Sequence, residues 1–120
     1  MFCSAVNNMG VIKNLDKINY RKRDSVKRGL EFIDEKNKNN PVIWRVVIFG
    51  SAIREDCRKK SDIDICFFSD HSCRTSDIYS EIFCYLGLVM DENLDIFNYS
   101  KVSNSSLKSN IDKGVVVYEY

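Results

Sequence analysis

Two aspartates on one short apolar segment are the residues of this chain best suited to chemistry. Asp62 and Asp64 alternate with Ile63 and Ile65. Side chains alternate between the two faces of a strand, so the carboxylates are expected to share one face while the isoleucines point into a core. Adjacent carboxylates repel each other, and a divalent cation between them removes that repulsion. Mg²⁺ suits this role because it prefers carboxylate oxygens and keeps water or phosphate oxygens as its other ligands.

A third aspartate repeats the pattern later in the chain. Asp95 lies between Leu94 and Ile96, and it faces the same way as Asp62 and Asp64 if its apolar neighbours pack into the same core. Three carboxylates from two adjacent strands can hold two metal ions, which bridge the phosphates of a nucleotide and activate an attacking hydroxyl. Asp95 is also placed to accept the proton of that hydroxyl.

A glycine and a serine follow the apolar segment that ends at Phe49. Gly50 lets the backbone turn sharply and lets phosphate approach closely, and free N–H groups at the start of a following helix suit an anion. The Ser51 hydroxyl can donate to a phosphate oxygen, and Arg54 can neutralise charge nearby. A Walker loop is absent. A lone G-S carries almost no signal, a lone D-x-D also fits a solvated strand edge or a calcium ligand pair, and Asp95 alone fits a surface residue better than a ligand. The prediction therefore rests on their order along the chain.

Four segments have the composition of strands that would carry these residues. They are rich in β-branched and aromatic side chains, and they comprise residues 42–49, 62–68, 94–99 and 115–120. The first segment runs directly into Gly50, and the second and third contain the aspartates. Residues 51–59 between them predict a short helix or turn.

Helical patterns precede and separate the predicted strands. Residues 1–40 contain two sets of apolar residues at helical spacing: Val11, Ile12, Leu15 and Ile18, then Val26, Leu30 and Ile33. Asp24 is a candidate cap for the second set, and residues 37–40 with Pro41 end it.

Two further helices are predicted in the second half of the chain. Ser76 or Asp77 begins one of them, and residues 103–113 form the other, with Gly114 at its C′ position. Strands and helices therefore alternate after residue 41, which predicts an α/β (α+β) fold with helices packed on a small mixed sheet. At 120 residues, the chain is expected to form a single domain, 1–120, with a helical N-terminal extension, 1–40, and a catalytic core, 42–120.

The composition is that of a globular protein, with 44% hydrophobic residues and a net charge of +1. It predicts no membrane span and no direct nucleic-acid binding. A local basic run fits either a solvated helix face or a docking surface for an acidic partner or a nucleotide tail. It consists of Arg21, Lys22, Arg23, Lys27 and Arg28.

Five cysteines, without a C-x-x-C pair and without a secretion signal, favour reduced thiols and a cytoplasmic location. Cys66, His71 and Cys73 lie close in sequence. They lack a fourth ligand at finger-like spacing, which disfavours a zinc site.

The combination of motifs resembles the polymerase-β-like nucleotidyltransferase superfamily, and within it the minimal nucleotidyltransferase family. The signature of that family is G-S, ten residues, then D-x-D. Here Gly50-Ser51 is followed by the ten residues 52–61 and then by Asp62-Ile63-Asp64. Leu94-Asp95-Ile96 resembles the third carboxylate strand, and residues 114–119 resemble the closing strand. The resemblance covers residues 42–120.

The resemblance implies ATP as donor and Mg²⁺, two ions of which would be held by Asp62, Asp64 and Asp95. By position, Gly50, Ser51, Arg54 and Ser61 would bind the nucleotide, and the three aspartates would be the catalytic residues. The family often reads G-S-R-A-R-G at this loop. Here Arg54 matches the second arginine, whereas Ala52 replaces the first and Glu55 replaces the final glycine.

Members of this size resemble the antitoxin half of a toxin–antitoxin pair. The resemblance implies a HEPN-type ribonuclease toxin as partner, in a hetero-oligomer, with AMP transferred to a tyrosine of that toxin. One alternative is a non-catalytic antitoxin that acts by binding alone. Another is an aminoglycoside-type small-molecule nucleotidyltransferase, which usually carries an additional helical domain.

Overall fold

A mixed five-stranded sheet organises the part of the chain that this computed structural model describes, residues 9–38, 40–70 and 76–120. The strands are β1 (Val11–Ile12), β2 (Arg45–Phe49), β3 (Ile63–Phe68), β4 (Leu94–Asn98) and β5 (Val115–Glu119). The α-helices of these residues are α1 (Tyr20–Asn37), α2 (Asp77–Met90) and α3 (Ser105–Asp112). The predicted mixed α/β architecture is confirmed.

The order of strands across the sheet is β1-β5-β2-β3-β4. β3 and β4 are parallel, and the other neighbouring pairs are antiparallel. A parallel pair requires a crossover connection, and α2 lies in that connection between β3 and β4. The register pairs Ile63 with Leu94 and Asp64 with Asp95.

The two faces of the sheet have separate apolar cores. The larger core includes buried residues of α1, α2 and the sheet, among them Leu30, Ile82 and Ile65. The smaller core contains Val47, Phe49, Cys66 and Ile111. Because side chains alternate along a strand, β3 buries Ile63 and Ile65 in the larger core and turns Asp64 toward the side of the smaller one.

Helix α1 begins earlier than its predicted cap, Asp24. The side chain of Asn19 accepts a hydrogen bond from the Arg21 N–H and caps the helix there, whereas Asp24 is an exposed residue inside it. The helix ends at Asn37, whose buried side chain donates to Ile43 O at 2.7 Å and accepts from Val42 N at 2.9 Å. These bonds hold the segment that leads into β2.

The helical prediction for residues 11–18 is wrong. Val11 and Ile12 form the short strand β1 against β5, and Leu15–Lys17 form a single 3₁₀ turn. Asn14 separates the two, with a left-handed φ of 59° and its amide donating to Val116 O at 2.8 Å. Pairing with the free side of β5 satisfies backbone groups that a continuous helix would have satisfied internally.

Helix α2 begins at the predicted Asp77, whereas α3 begins at Ser105, two residues after its predicted start. Ser76 accepts from Tyr79 N to cap α2, and Asn104 accepts from Leu107 N to cap α3. Gly114 does follow α3, but among the described glycines only Gly50 has a positive φ. Gly114 is instead required by close packing, because a Cβ there would lie 2.6 Å from Val47 Cγ1.

His71 and Cys73 lie outside the described residues, whereas Cys66 is fully buried on β3. Among the helices that the structure describes, none combines the length and apolarity that a membrane crossing requires.

Candidate active site

The carboxyl groups of Asp64 and Asp95 meet on one face of the sheet. The two residues are register partners on the parallel strands β3 and β4, and the Asp95 carboxylate is close enough to raise the pKa of Asp64. Ile63 and Ile65 are buried on the opposite face. The expected division of β3 is therefore present for Asp64, which lies opposite the core face, whereas Asp62 lies before the first residue of the strand.

Burial and like charge act together on Asp64. Partial burial is the largest cause that raises its pKa, to about 6, and the neighbouring carboxylate of Asp95 is the next. Asp62 adds to the increase, whereas the positive charge of Arg54 acts in the opposite direction. The surroundings of Asp64 thus disfavour its negative charge, and a cation bound beside it would stabilise that charge.

The donor set suits a hard divalent ion, because carboxylate oxygens are the ligands that Mg²⁺ prefers. Asp64 and Asp95 are in contact, and Asp62 is an exposed neighbour just before β3. Across residues 9–38, 40–70 and 76–120, no group of three or more His, Cys, Asp or Glu side chains is arranged to hold a metal ion. The metal-binding roles of the three aspartates therefore remain predictions.

Gly50 lies directly against Asp64. Its φ is 73°, in the left-handed region that favours glycine. A Cβ on Gly50 would overlap the Asp64 Oδ2 atom, so glycine is required both for the backbone turn and for the approach of the loop to the carboxylate. The Oγ of the next residue, Ser51, donates to Asp62 O at 3.4 Å. Both residues of the G-S motif therefore lie beside the D-x-D segment.

The remaining predicted nucleotide-binding residues lie further out. Arg54 is exposed and pairs with Asp56 at 3.2 Å, while its charge still acts on Asp64. Ser61 accepts a hydrogen bond from Arg58 N at 3.0 Å. It lines a polar groove of about 640 Å³ together with Lys59, Lys60 and the end of α2.

Ala52, which stands where the family often has an arginine, is fully buried in the larger core. Its carbonyl accepts from Asn19 N at 2.8 Å, and the Asn19 amide donates to Arg54 O at 2.8 Å. These two hydrogen bonds from Asn19 therefore connect the start of α1 to the G-S loop. Arg54 is left as the arginine of this loop that faces solvent.

Sequence reasoning missed the part played by the basic run. Arg21, Lys27 and Arg28 are exposed, but Arg23 donates to the carbonyl oxygens of Leu15 and Ile18, both at 2.9 Å. Lys22 is fully buried. A signal for Lys22 was present, because it precedes Val26 and Leu30 at the i, i+4, i+8 spacing of the buried stripe.

Comparison with known proteins finds one matching family and similar solved structures. The family profile of polymerase beta nucleotidyltransferases matches residues 31–120. A chain in the crystal structure of the toxin–antitoxin pair MntA-HepT is 19% identical with a TM-score of 0.50, over 79% of this chain and 73% of that one. A candidate nucleotidyltransferase from Sulfolobus solfataricus is 18% identical with a TM-score of 0.46, over 97% of this chain and 87% of that one.

No curated protein matches the sequence significantly. At these identities the similarity to the MntA-HepT chain concerns the fold, whereas the family profile spans the G-S loop and all three aspartates. The chain belongs to the polymerase beta nucleotidyltransferase family.

Proposed function

We propose that this protein is a Mg²⁺-dependent nucleotidyltransferase that transfers AMP from ATP to a hydroxyl of a protein acceptor. The acceptor we propose is a tyrosine of a cognate HEPN-type ribonuclease toxin, so that the protein acts as a cytoplasmic antitoxin in a hetero-oligomer. The observation that carries the proposal is the contact between Asp64 and Asp95 beside the left-handed Gly50.

The three aspartates have distinct roles in this proposal. Mg²⁺ bound by Asp62, Asp64 and Asp95 would neutralise phosphate charge and lower the pKa of the acceptor hydroxyl. Asp95 accepts the proton of that hydroxyl, whose oxygen then forms a bond to the α-phosphorus of ATP. The bond from the α-phosphorus to the bridging oxygen breaks, and pyrophosphate leaves with the electron pair. The products are AMP-modified protein and pyrophosphate.

The G-S loop would hold the triphosphate. We assign the backbone N–H groups after Gly50 and the Ser51 hydroxyl as donors to the phosphate oxygens. Ser61, in the turn that precedes β3, is a further nucleotide-binding residue in this proposal. Arg54 supplies the positive charge, and release from Asp56 would free its guanidinium for phosphate. The buried position of Ala52 leaves this loop dependent on Arg54.

Two observations support a protein partner. Helix α2 exposes large apolar side chains, namely Phe83, Tyr85 and Leu88, the last of them 80% exposed; exposed aromatic and aliphatic side chains are available for contact with a protein partner. The similar MntA-HepT chain comes from a toxin–antitoxin pair. The free thiols of Cys57, Cys66 and Cys84 fit a reducing cytoplasm.

We also propose that residues 1–120 form one domain whose core, 42–120, carries the chemistry. β1 belongs to the same sheet as the carboxylate strands, and α1 contributes Val26, Leu30 and Ile33 to the larger core. A segment that shares both the sheet and the core is expected to unfold with them.

A non-catalytic antitoxin is the second candidate. The observation that favours it is the loop itself, since Ala52 is buried in the core and Glu55 presents a negative charge at the surface. Both changes weaken phosphate binding relative to the arginine and glycine that the family often has there. In this case the protein would neutralise its partner by contact without transfer.

The deciding experiment is incubation of the purified protein with α-labelled ATP, Mg²⁺ and the product of the neighbouring gene. We expect label on the partner, lost in Asp64→Ala and retained in the matched control Asp24→Ala, which changes an exposed aspartate of α1. A stable complex that acquires no label would contradict catalysis and establish the binding-only alternative.

A further inference from the structure

Lys22 is a buried cation that joins two separate segments of the chain. Its side chain is fully buried, and its ammonium group donates to Lys59 O at 2.8 Å and to Glu92 Oε1 at 2.7 Å. The other carboxylate oxygen of Glu92 accepts from Ser25 Oγ at 3.0 Å. The charge is thus paired, and the carboxylate that pairs with it is itself held by α1.

This arrangement is costly to fold. Removing two charges from water carries a penalty that their attraction only partly offsets, so a buried ion pair contributes little net stability. The same helix face buries Val26 and Leu30 at the two following turns, and a leucine or methionine at position 22 would continue that apolar stripe. Replacing Lys22 and Glu92 together with apolar residues would therefore cost little stability, whereas removing Lys22 alone would leave Glu92 Oε1 and Lys59 O without this donor.

The two segments that Lys22 joins are the entries to the carboxylate strands. Lys59 precedes Asp62 by three residues, and Glu92 precedes Asp95 by three residues. The first ladder bond between the strands, from Ile63 N to Asn93 O at 3.0 Å, lies just beyond them. One ammonium group therefore bonds to both of the segments that lead into β3 and β4.

We propose that Lys22 is a positioning residue that fixes the spacing of Asp64 and Asp95 for a divalent cation. The proposal rests on the proposed function for its chemical meaning. Lys22 acts through geometry, because its ammonium group bonds to the two strand entries and to neither Asp64 nor Asp95. Arg54 is the cation whose charge acts on Asp64 directly.

The test measures Mn²⁺ affinity by electron paramagnetic resonance in the presence of ATP, at a temperature well below unfolding. Lys22→Met keeps an unbranched side chain, one atom shorter, and removes both hydrogen bonds. We expect Mn²⁺ to bind about tenfold to hundredfold more weakly, the range seen when residues that support metal ligands are removed. A correctly folded Lys22→Met protein with unchanged affinity would overturn the proposal.

A matched control separates positioning from general destabilisation. Asn37→Ala removes buried hydrogen bonds at the other end of the same helix, to Ile43 O and Val42 N. It is expected to lower the urea midpoint while leaving Mn²⁺ affinity unchanged. An equal loss of Mn²⁺ affinity in Asn37→Ala would show that stability, rather than Lys22 geometry, controls the site.

If Lys22→Met does not fold, Glu92→Gln provides a second test of the proposal. Glutamine preserves an acceptor for the Lys22 ammonium but removes the charge, so we expect a smaller weakening of Mn²⁺ binding in the same direction. Unchanged affinity in a folded Glu92→Gln protein counts against the proposal.

Hydrogen exchange distinguishes failure of this proposal from failure of the proposed function. If the unmodified protein binds no Mn²⁺ with ATP, the proposed function is wrong, but the coupling is still measurable. Lys22→Met should then accelerate amide exchange at residues 62–64 and 93–95 more than Asn37→Ala does. Equal exchange in the two variants would refute the link between Lys22 and the strand entries.

Discussion

Replacing Gly50 with alanine tests the contact on which the candidate site depends. The glycine has a φ of 73°, and a Cβ at this position would overlap the Asp64 carboxylate. The substitution adds only one methyl group. It nevertheless acts on the backbone of the loop and on the position of a carboxylate at the same time.

The expected destabilisation follows from these two effects. A non-glycine residue in the left-handed region costs about 1–2 kcal/mol. Moving the Asp64 side chain away from its preferred rotamer costs of order 1 kcal/mol more. The sum is about 2–3 kcal/mol, which with a urea slope of about 2 kcal/mol/M lowers the unfolding midpoint by about 1 M.

Urea unfolding monitored by circular dichroism measures the midpoint, and a double-mutant cycle with Asp64→Ala separates the two effects. Truncating Asp64 removes the carboxylate that the methyl group would meet, so Gly50→Ala should cost about 1 kcal/mol less in that background. An unchanged midpoint in the single variant would refute the left-handed backbone. Exact additivity would refute the contact with Asp64.

Three further predictions concern the carboxylates, the thiols and a packed glycine. Asp64→Asn should melt at a higher temperature than the unmodified protein in EDTA, because it removes a partly buried negative charge beside Asp95. Under the proposed function, Mg²⁺ with ATP should raise the melting temperature of the unmodified protein and not that of Asp64→Asn, and calorimetry in both buffers checks the two effects. Burial raises the pKa of the Cys66 thiol to about 12. Iodoacetamide at pH 8 should therefore modify the exposed Cys84 in the native protein and reach Cys66 only after unfolding, which peptide mass spectrometry measures. Rapid modification of Cys66 in the native protein would contradict its burial. Gly114→Ala should destabilise the protein by about 1–3 kcal/mol, since its Cβ would lie 2.6 Å from Val47 Cγ1, and an unchanged urea midpoint would contradict that packing.

The carboxylate face was predictable because its pattern is local. Alternation of Asp64 with Ile63 and Ile65 determines which side chains share a face of β3, and the structure shows that division. The register that sets Asp64 opposite Asp95 is a long-range property. It depends on a parallel pairing that alternation within either strand cannot specify.

Other parts of the fold gave weak or misleading local signals. β1 has only two residues, too few for a periodic pattern, and its formation depends on the free side of β5. Lys22 was assigned to a basic surface because lysine is rarely buried. Its burial depends on Lys59 O and Glu92, two acceptors that are distant in sequence. The roles of the aspartates in metal binding and catalysis stay predictions.

The parallel pairing of β3 with β4 also bears on when the site can form. A hairpin brings two strands together over a few residues, but β4 reaches β3 only through the crossover that contains α2. Contacts that close such long connections are slow to form during folding. A growing chain that has completed β3 already carries Asp62 and Asp64. Asp95 is synthesised only after α2, and it reaches Asp64 only when α2 has docked and β4 has paired with β3. If the proposed function is correct, metal and nucleotide binding would therefore begin only after folding is complete, and nascent or partly folded copies would not react with ATP.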